Sequence, residues 1–213
     1  MEMMRIHETL FILHKCSSTV ERVHKAYEEL LQKGPLFAVS HFSHNLAYYV
    51  IMESVSFLDE YDSFFTEGMV EEQYQERVRN VRKVASPLYR KIRSWKDLDN
   101  YRNKVIAHGW RDKKNGNRLT VPHKKYYDVP RTNFELQLLT DLIIQLMAFI
   151  KIEFEVEAGW AIWFAYDGKQ EERQNKNYSN INTELQEILD EMNGMAKEIG
   201  KEYDIFIKGY TFK

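Results

Sequence analysis

Cysteine is almost absent from this chain: Cys16 stands alone. That excludes an intramolecular disulfide framework and a cysteine-rich zinc cluster, and it suits a reducing compartment. Cys16 itself is expected to act as a buried small hydrophobe. The sequence also lacks a Gly-rich phosphate loop, an HExxH helix and a nucleophile elbow, which removes three common signatures of enzymatic chemistry. It has no repeat and no low-complexity tract. The first ten residues contain Glu2 and Glu8 and no basic segment leading into an apolar one, so no secretory signal is expected. The most apolar stretch, 136–152, includes Gln137, Asp141, Gln145 and Lys151 and falls short of a membrane span. The expectation is a soluble, cytoplasmic protein with no membrane partner.

What is present is ample material for a core. Of 213 residues, 44% are apolar, enough for one domain, or one with an appendage. Net charge is only −2, but it is unevenly distributed. Between Arg77 and Lys125, 16 lysines and arginines face Asp97, Asp99 and Asp112, a net of +13 that leaves −15 elsewhere. A basic centre within an acidic chain lets one surface meet phosphate while the whole stays soluble. The alternative is a solvated basic face compensated by acidic neighbours.

Hydrophobic periodicity reads as helix along most of the chain. Residues 1–33 form one helix or two, with Ser17, Ser18 and Thr19 as natural caps, ending at Gly34-Pro35. From Leu36 to about Phe65, residues including Phe37, Leu46, Tyr49, Val50, Met52, Val55, Phe57 and Leu58 predict a long core helix. Val78, Val81, Ala85, Leu88 and Ile92 step by 3, 4, 3 and 4 on an amphipathic basic helix that Pro87 should kink or restart. Trp95, Leu98, Tyr101, Val105 and Ile106 mark a further helix closed by Gly109. Residues 110–131 read as an insertion, with Asn115-Gly116 as a hairpin-type turn. Thr132 and Glu135 have capping-box spacing and launch a helix to at least Ile152, apolar on most sides, suited to the middle of a bundle or a subunit interface. Helix and strand both fit the stretch from Ile152 to Tyr166, and residues 167–213 read as an irregular appendage. The fold class is all-α, a bundle of long antiparallel helices in a single domain, 1–213, with a small β-hairpin-like insertion.

The segment from Trp95 to His108 carries the candidate chemistry. At about 100° per residue, Arg102 lies about 40° from Leu98, inside the apolar stripe, and His108 about 80° to the other side. A guanidinium cannot lose its charge, so its neighbours must supply a carboxylate, a phosphate or a wet cleft. Arg102-Asn103-Lys104-Val105-Ile106-Ala107-His108 resembles the arginine-polar-x4-histidine signature of the HEPN superfamily. The resemblance implies a helical bundle acting as a metal-independent endoribonuclease of toxin or abortive-infection type, without cofactor. It implies Arg102 on the scissile phosphate, Asn103 orienting substrate or side chains, and His108 in proton transfer, in a site shared across a homodimer. An antitoxin or a nucleotidyltransferase partner belongs to the same expectation. Histidine titrates near neutrality and a cationic fork stabilises phosphorane-like charge, so the residue types suit the chemistry. Arg93, Lys96, Lys104, Arg111, Lys113 and Lys114 are the expected contacts to the RNA backbone.

Other readings compete. Arg102 could pair with Glu53 or Asp141 while His108 caps its helix. The same cleft could hold nucleic acid or a nucleotide without cutting it, or the apolar stripes and the stretch Trp160 to Tyr166 could serve a scaffold. His41 and His44 lack a third ligand at helical spacing, so metal binding is not expected. Trp110, Tyr126 and Tyr127 could stack on bases, though packing the insertion onto the bundle is favoured. Glu153, Glu155 and Glu157 read as a solvated acidic face.

Overall fold

The computed structural model describes residues 4–103, 111–112, 118–119 and 127–167, all within one compact unit that ends at Asp167. The fold is all-α. Its helices are α1 (Arg5–Lys33), α2 (Leu36–Ser63), α3 (Glu72–Val84), α4 (Ser86–Ile92), α5 (Leu98–Tyr101), α6 (Asn133–Glu153) and α7 (Glu155–Asp167). Two short strands, β1 (Arg111–Asp112) and β2 (Arg118–Leu119), pair antiparallel within the insertion. The expected Asn115-Gly116 turn and the appendage from residue 168 onward lie outside the described residues.

Residues 5–33 form one uninterrupted helix, so Ser17, Ser18 and Thr19 are not caps. Ser17 and Thr19 instead return their hydroxyls to the carbonyls of His14 and Lys15, the mid-helix alternative open to short hydroxylated side chains. The cap at the start of α1 comes from elsewhere in the chain: the Glu71 carboxylate accepts the N–H of Arg5 at 2.8 Å. This satisfies an orphan donor and places negative charge at the positive helix end. At the other end, a Cβ on Gly34 would lie 2.4 Å from the Leu30 carbonyl oxygen. Only glycine admits that approach, and Pro35 then caps α2.

α2 returns antiparallel along α1, so that Thr9 meets Glu60 and Cys16 meets Glu53. Only its second half is core. Val50, Val55, Phe57, Leu58 and Tyr61 are buried, whereas Leu36, Phe37, Phe42 and Tyr49 are exposed. The expectation that Phe37 and Tyr49 belong to the core is therefore corrected. Helical spacing shows which residues share a face but not whether a neighbour covers that face. Cys16 is buried as expected, its thiol pushed up to about 11 by burial and the Glu53 carboxylate.

Pro87 restarts the chain rather than kinking it: α3 stops at Val84 and the proline occupies the first turn of α4, where its missing N–H has no helical partner to lose. Val78, Val81, Ala85 and Ile92 are buried in the expected register.

α6 opens on the capping box, with Thr132 Oγ1 accepting from Glu135 N–H at 3.1 Å and the Glu135 carboxylate accepting from Thr132 N–H at 3.0 Å. It lies in the middle of the bundle, packed against α1, α2, α3, α4 and α7. Burial of Leu139, Ile143, Leu146 and Ile150 removes its apolar stripe from water, at about 1.5–3 kcal/mol per large aliphatic side chain. Glu155 to Asp167 is helix, which settles the ambiguity over that stretch, and Trp160 lies 5.5 Å from the ring of His7 on α1. Among the described residues no helix is long and apolar enough to cross a membrane.

Candidate functional site

The neck of the insertion is closed by two aspartates. Asp97 N–H donates to the Asp128 carbonyl at 3.1 Å, Asp128 N–H donates to the Asp97 carboxylate at 3.0 Å, and Lys96 N–H reaches the Asp128 carboxylate at 3.3 Å. This clamp explains why the helix starts at Leu98 rather than at Trp95: the preceding residues give their backbone groups to the far side of the insertion. Tyr101 continues the closure. Its ring meets Tyr127 edge-on at 5.4 Å and Tyr48 of α2 at 6.0 Å, and burial together with the Tyr48 hydrogen bond pushes its hydroxyl well above the usual tyrosine range. Tyr127 is 4% exposed, so it packs the insertion onto the bundle and is not free to stack on a base.

Arg102 and Asn103 follow directly. Here the helix widens into a π turn, a local form that often accompanies functional positions. Two adjacent side chains diverge by about 100° on an ordinary helix, yet Arg102 Nε donates to Asn103 Oδ1 at 3.1 Å. Arg102 Nη1 pairs with the Asp59 carboxylate of α2. The partner is thus neither Glu53 nor Asp141, and it is not buried, since the Asp59 side chain is 51% exposed. Of the five guanidinium N–H groups, those on Nη2 have no acceptor among the described residues. Asp59 was missed because its sequence signal, an acid one helical turn before Asp62 within an apolar helix, was not connected to the arginines downstream.

The arginines that precede Arg102 are more heavily engaged. Arg77 donates to Glu153 Oε1 at 3.2 Å, to Glu157 Oε1 at 2.6 Å and to the Glu153 carbonyl, while its guanidinium lies 4.3 Å from the Phe154 ring centre. It closes the C-terminus of α6 and ties α7 to α3. Glu153 and Glu155 are exposed, as expected of a solvated acidic face, but Glu153 and Glu157 are also partners of a cation, and Arg77 outweighs burial in holding the Glu157 carboxyl below its usual range. Arg82 Nη1 donates to the carbonyls of Tyr61 and Phe65 at 2.5 and 2.9 Å. It supplies the positive charge that the last turn of α2 lacks in its own sequence. Arg79 pairs with Glu67 at 2.6 Å. Arg93 binds Asp62 and, at 2.9 Å, Asp99.

Arg93, expected on the RNA backbone, is thus held by two carboxylates that a phosphate would have to displace. Lys96 is exposed and has no ion pair among the described residues. Lys104, His108, Lys113 and Lys114 lie outside the described residues, as do Trp110 and Tyr126, and Arg111 is described only as backbone in β1. His41 is occupied locally, its Nδ1 2.8 Å from the Phe37 carbonyl and 2.9 Å from Ser40 Oγ. Among the described residues no three histidine, cysteine, aspartate or glutamate side chains are grouped to hold a metal.

No family model, curated protein or solved structure matches this chain.

Proposed function

We propose that this chain is a HEPN-like, metal-independent endoribonuclease of cytoplasmic defence or toxin type, working as a homodimer. The observation that carries the reading is the Arg102–Asn103 pair: a guanidinium in the helix stripe, steadied by Asn103 and Asp59, with Nη2 uncommitted among the described residues. A cationic donor held in place before substrate arrives loses little freedom when charge develops on a phosphate. In the proposed reaction the 2′-oxygen of RNA bonds to its own phosphorus, the bond from phosphorus to the 5′-oxygen breaks, and the departing oxygen is protonated. His108 moves the proton and Arg102 stabilises the phosphoryl oxygens. Asn103 orients Arg102. The exposed residues Leu36, Phe37 and Phe42 of α2 form apolar surface of the kind that a second subunit covers. An antitoxin or a nucleotidyltransferase is the proposed partner in the cell.

The Asp59 carboxylate supports a second reading, a site that holds RNA or a nucleotide without cutting it, because it offsets the charge a phosphate would meet. One experiment separates the readings. Wild type and His108→Ala are incubated with end-labelled single-stranded RNA in excess EDTA, and fragments ending in a 2′,3′-cyclic phosphate are sought. Cleavage by wild type alone is expected. Salt-sensitive binding without cleavage by either protein supports the silent module, and loss of binding as well supports a protein-interaction scaffold.

A further inference from the structure

An opening lies where the end of α1 meets the start of α6. It measures about 200 Å³ and is lined by His24, Tyr27, Glu28, Leu31, Gln32 and Asn133. His24 is 4% exposed, yet among the described residues its ring has no hydrogen-bond partner, and burial holds it below the usual imidazole range in spite of Glu28 and Asp141. A neutral imidazole offers one donor and one acceptor. The Tyr27 hydroxyl donates to Asn133 Oδ1 at 2.5 Å. That bond occupies the amide oxygen and leaves the Asn133 NH2 as a donor.

These groups restrict what can enter. Among the described residues no lysine or arginine lines the opening, and Glu28 does, so a phosphate or carboxylate is disfavoured. A bare ammonium carries donors only and would leave the Asn133 amide unanswered. The lining asks for a ligand with an acceptor toward Asn133, a donor toward Glu28, and a flat apolar face against Leu31 and the His24 ring. We infer that this opening takes a single nucleobase, read along its edge by Asn133, Gln32 and Glu28, with its sugar and any phosphate left outside. The Asn133 NH2 donates to an acceptor on the base edge, the Gln32 amide pairs with an edge that carries both donor and acceptor, and a carboxylate accepts from an exocyclic amine. The inference rests on the RNA reading above only for where the base comes from; the recognition chemistry is the same for a free nucleoside.

The test follows the imidazole resonance of His24, assigned with His24→Asn, during titration with each of the four ribonucleosides, with a single-stranded trinucleotide and with acetamide. The expected result is a saturable shift with at least one nucleoside, weakened tenfold or more in Glu28→Ala and in Gln32→Ala. Both positions are exposed, and circular dichroism verifies that these variants stay folded. Arg102→Ala should bind the nucleoside as wild type does. A shift with the trinucleotide alone, lost in the same two variants, also supports the pocket and assigns its base to RNA. Silence with every nucleoside and the trinucleotide overturns the inference, as does a shift that acetamide reproduces or that survives both variants. The RNA-cleavage assay fails or succeeds separately: nucleoside binding without cleavage leaves the pocket and removes the nuclease, and the reverse removes only the pocket.

Discussion

Two groups of arginines in this protein resemble each other in sequence and differ in setting. Arg77 and Arg82 on α3, and Arg93 just beyond α4, give their guanidinium groups to helix-end carbonyls and carboxylates of α2, α6 and α7. Arg102, at the neck of the insertion, has one carboxylate, one amide and, among the described residues, an uncommitted nitrogen. The difference shows that a run of positive charge is not itself a phosphate site. What matters is how much of each cation's hydrogen-bonding capacity the fold has already used. Arg77, Arg82 and Arg93 of the +13 segment are internal mortar, which concentrates the functional proposal on the neck of the insertion.

The comparison can be broken in four ways. The largest effect is expected at Arg102: Arg102→Ala should lower RNA cleavage by about a hundredfold or more, measured as the initial rate in EDTA, while the exposed Asp59 pair contributes only about 0–1 kcal/mol to stability. Loss of stability comparable to the loss of activity would return Arg102 to the structural group. Arg82→Ala should do the reverse. Removing the donor to the Tyr61 and Phe65 carbonyls is expected to cost about 2 kcal/mol by urea unfolding, with any RNA affinity unchanged.

Arg77→Ala is expected to cost about 1–2 kcal/mol, since its side chain is one-third exposed and solvent weakens the pair. Its pH dependence has a definite sign. The Glu157 carboxyl is held below its ordinary value, so the stabilisation is present above the ordinary carboxylate range and is lost as pH falls through the lowered value. Thermal melts of wild type and Arg77→Ala should therefore converge on acidification. The smallest effect is expected at Glu60, 9% exposed and facing Thr9. Burial raises its carboxyl above the ordinary value, so ionising it costs the folded state and stability falls as pH rises through that raised value. Glu60→Gln should raise Tm at neutral pH, with the gain fading in acid, opposite in sense to Arg77→Ala.

Much of the helical order was legible because it depends on local chemistry. The Thr132–Glu135 box, the Gly34-Pro35 stop and the Pro87 restart each act within a few residues, and the 3, 4, 3, 4 stepping from Val78 to Ile92 identified a buried face correctly. The site was legible only in part. Arg102 on an apolar stripe signalled a charge needing a partner, but Asp59 as that partner, and the π turn that joins Asn103 to it, depend on how α5 lies against α2. Ser17 to Thr19 misled because a hydroxyl that caps a helix start can equally return to the preceding turn.

By itself the sequence determined that this protein is helical, where most of its helices begin and end, and that its positive charge is gathered in one segment. Those properties arise from backbone propensities, side-chain periodicity and composition, which need no distant neighbour. Only the tertiary structure decided that the first half of α2 stays exposed, that Glu71 caps α1, and that Arg77 and Arg82 of α3 are consumed by helix ends while Nη2 of Arg102 has no acceptor among the described residues. The physical reason is that a charge or an apolar face acquires its role from whatever packs against it, and those partners lie far along the chain, 80 residues away for Arg77 and Glu157.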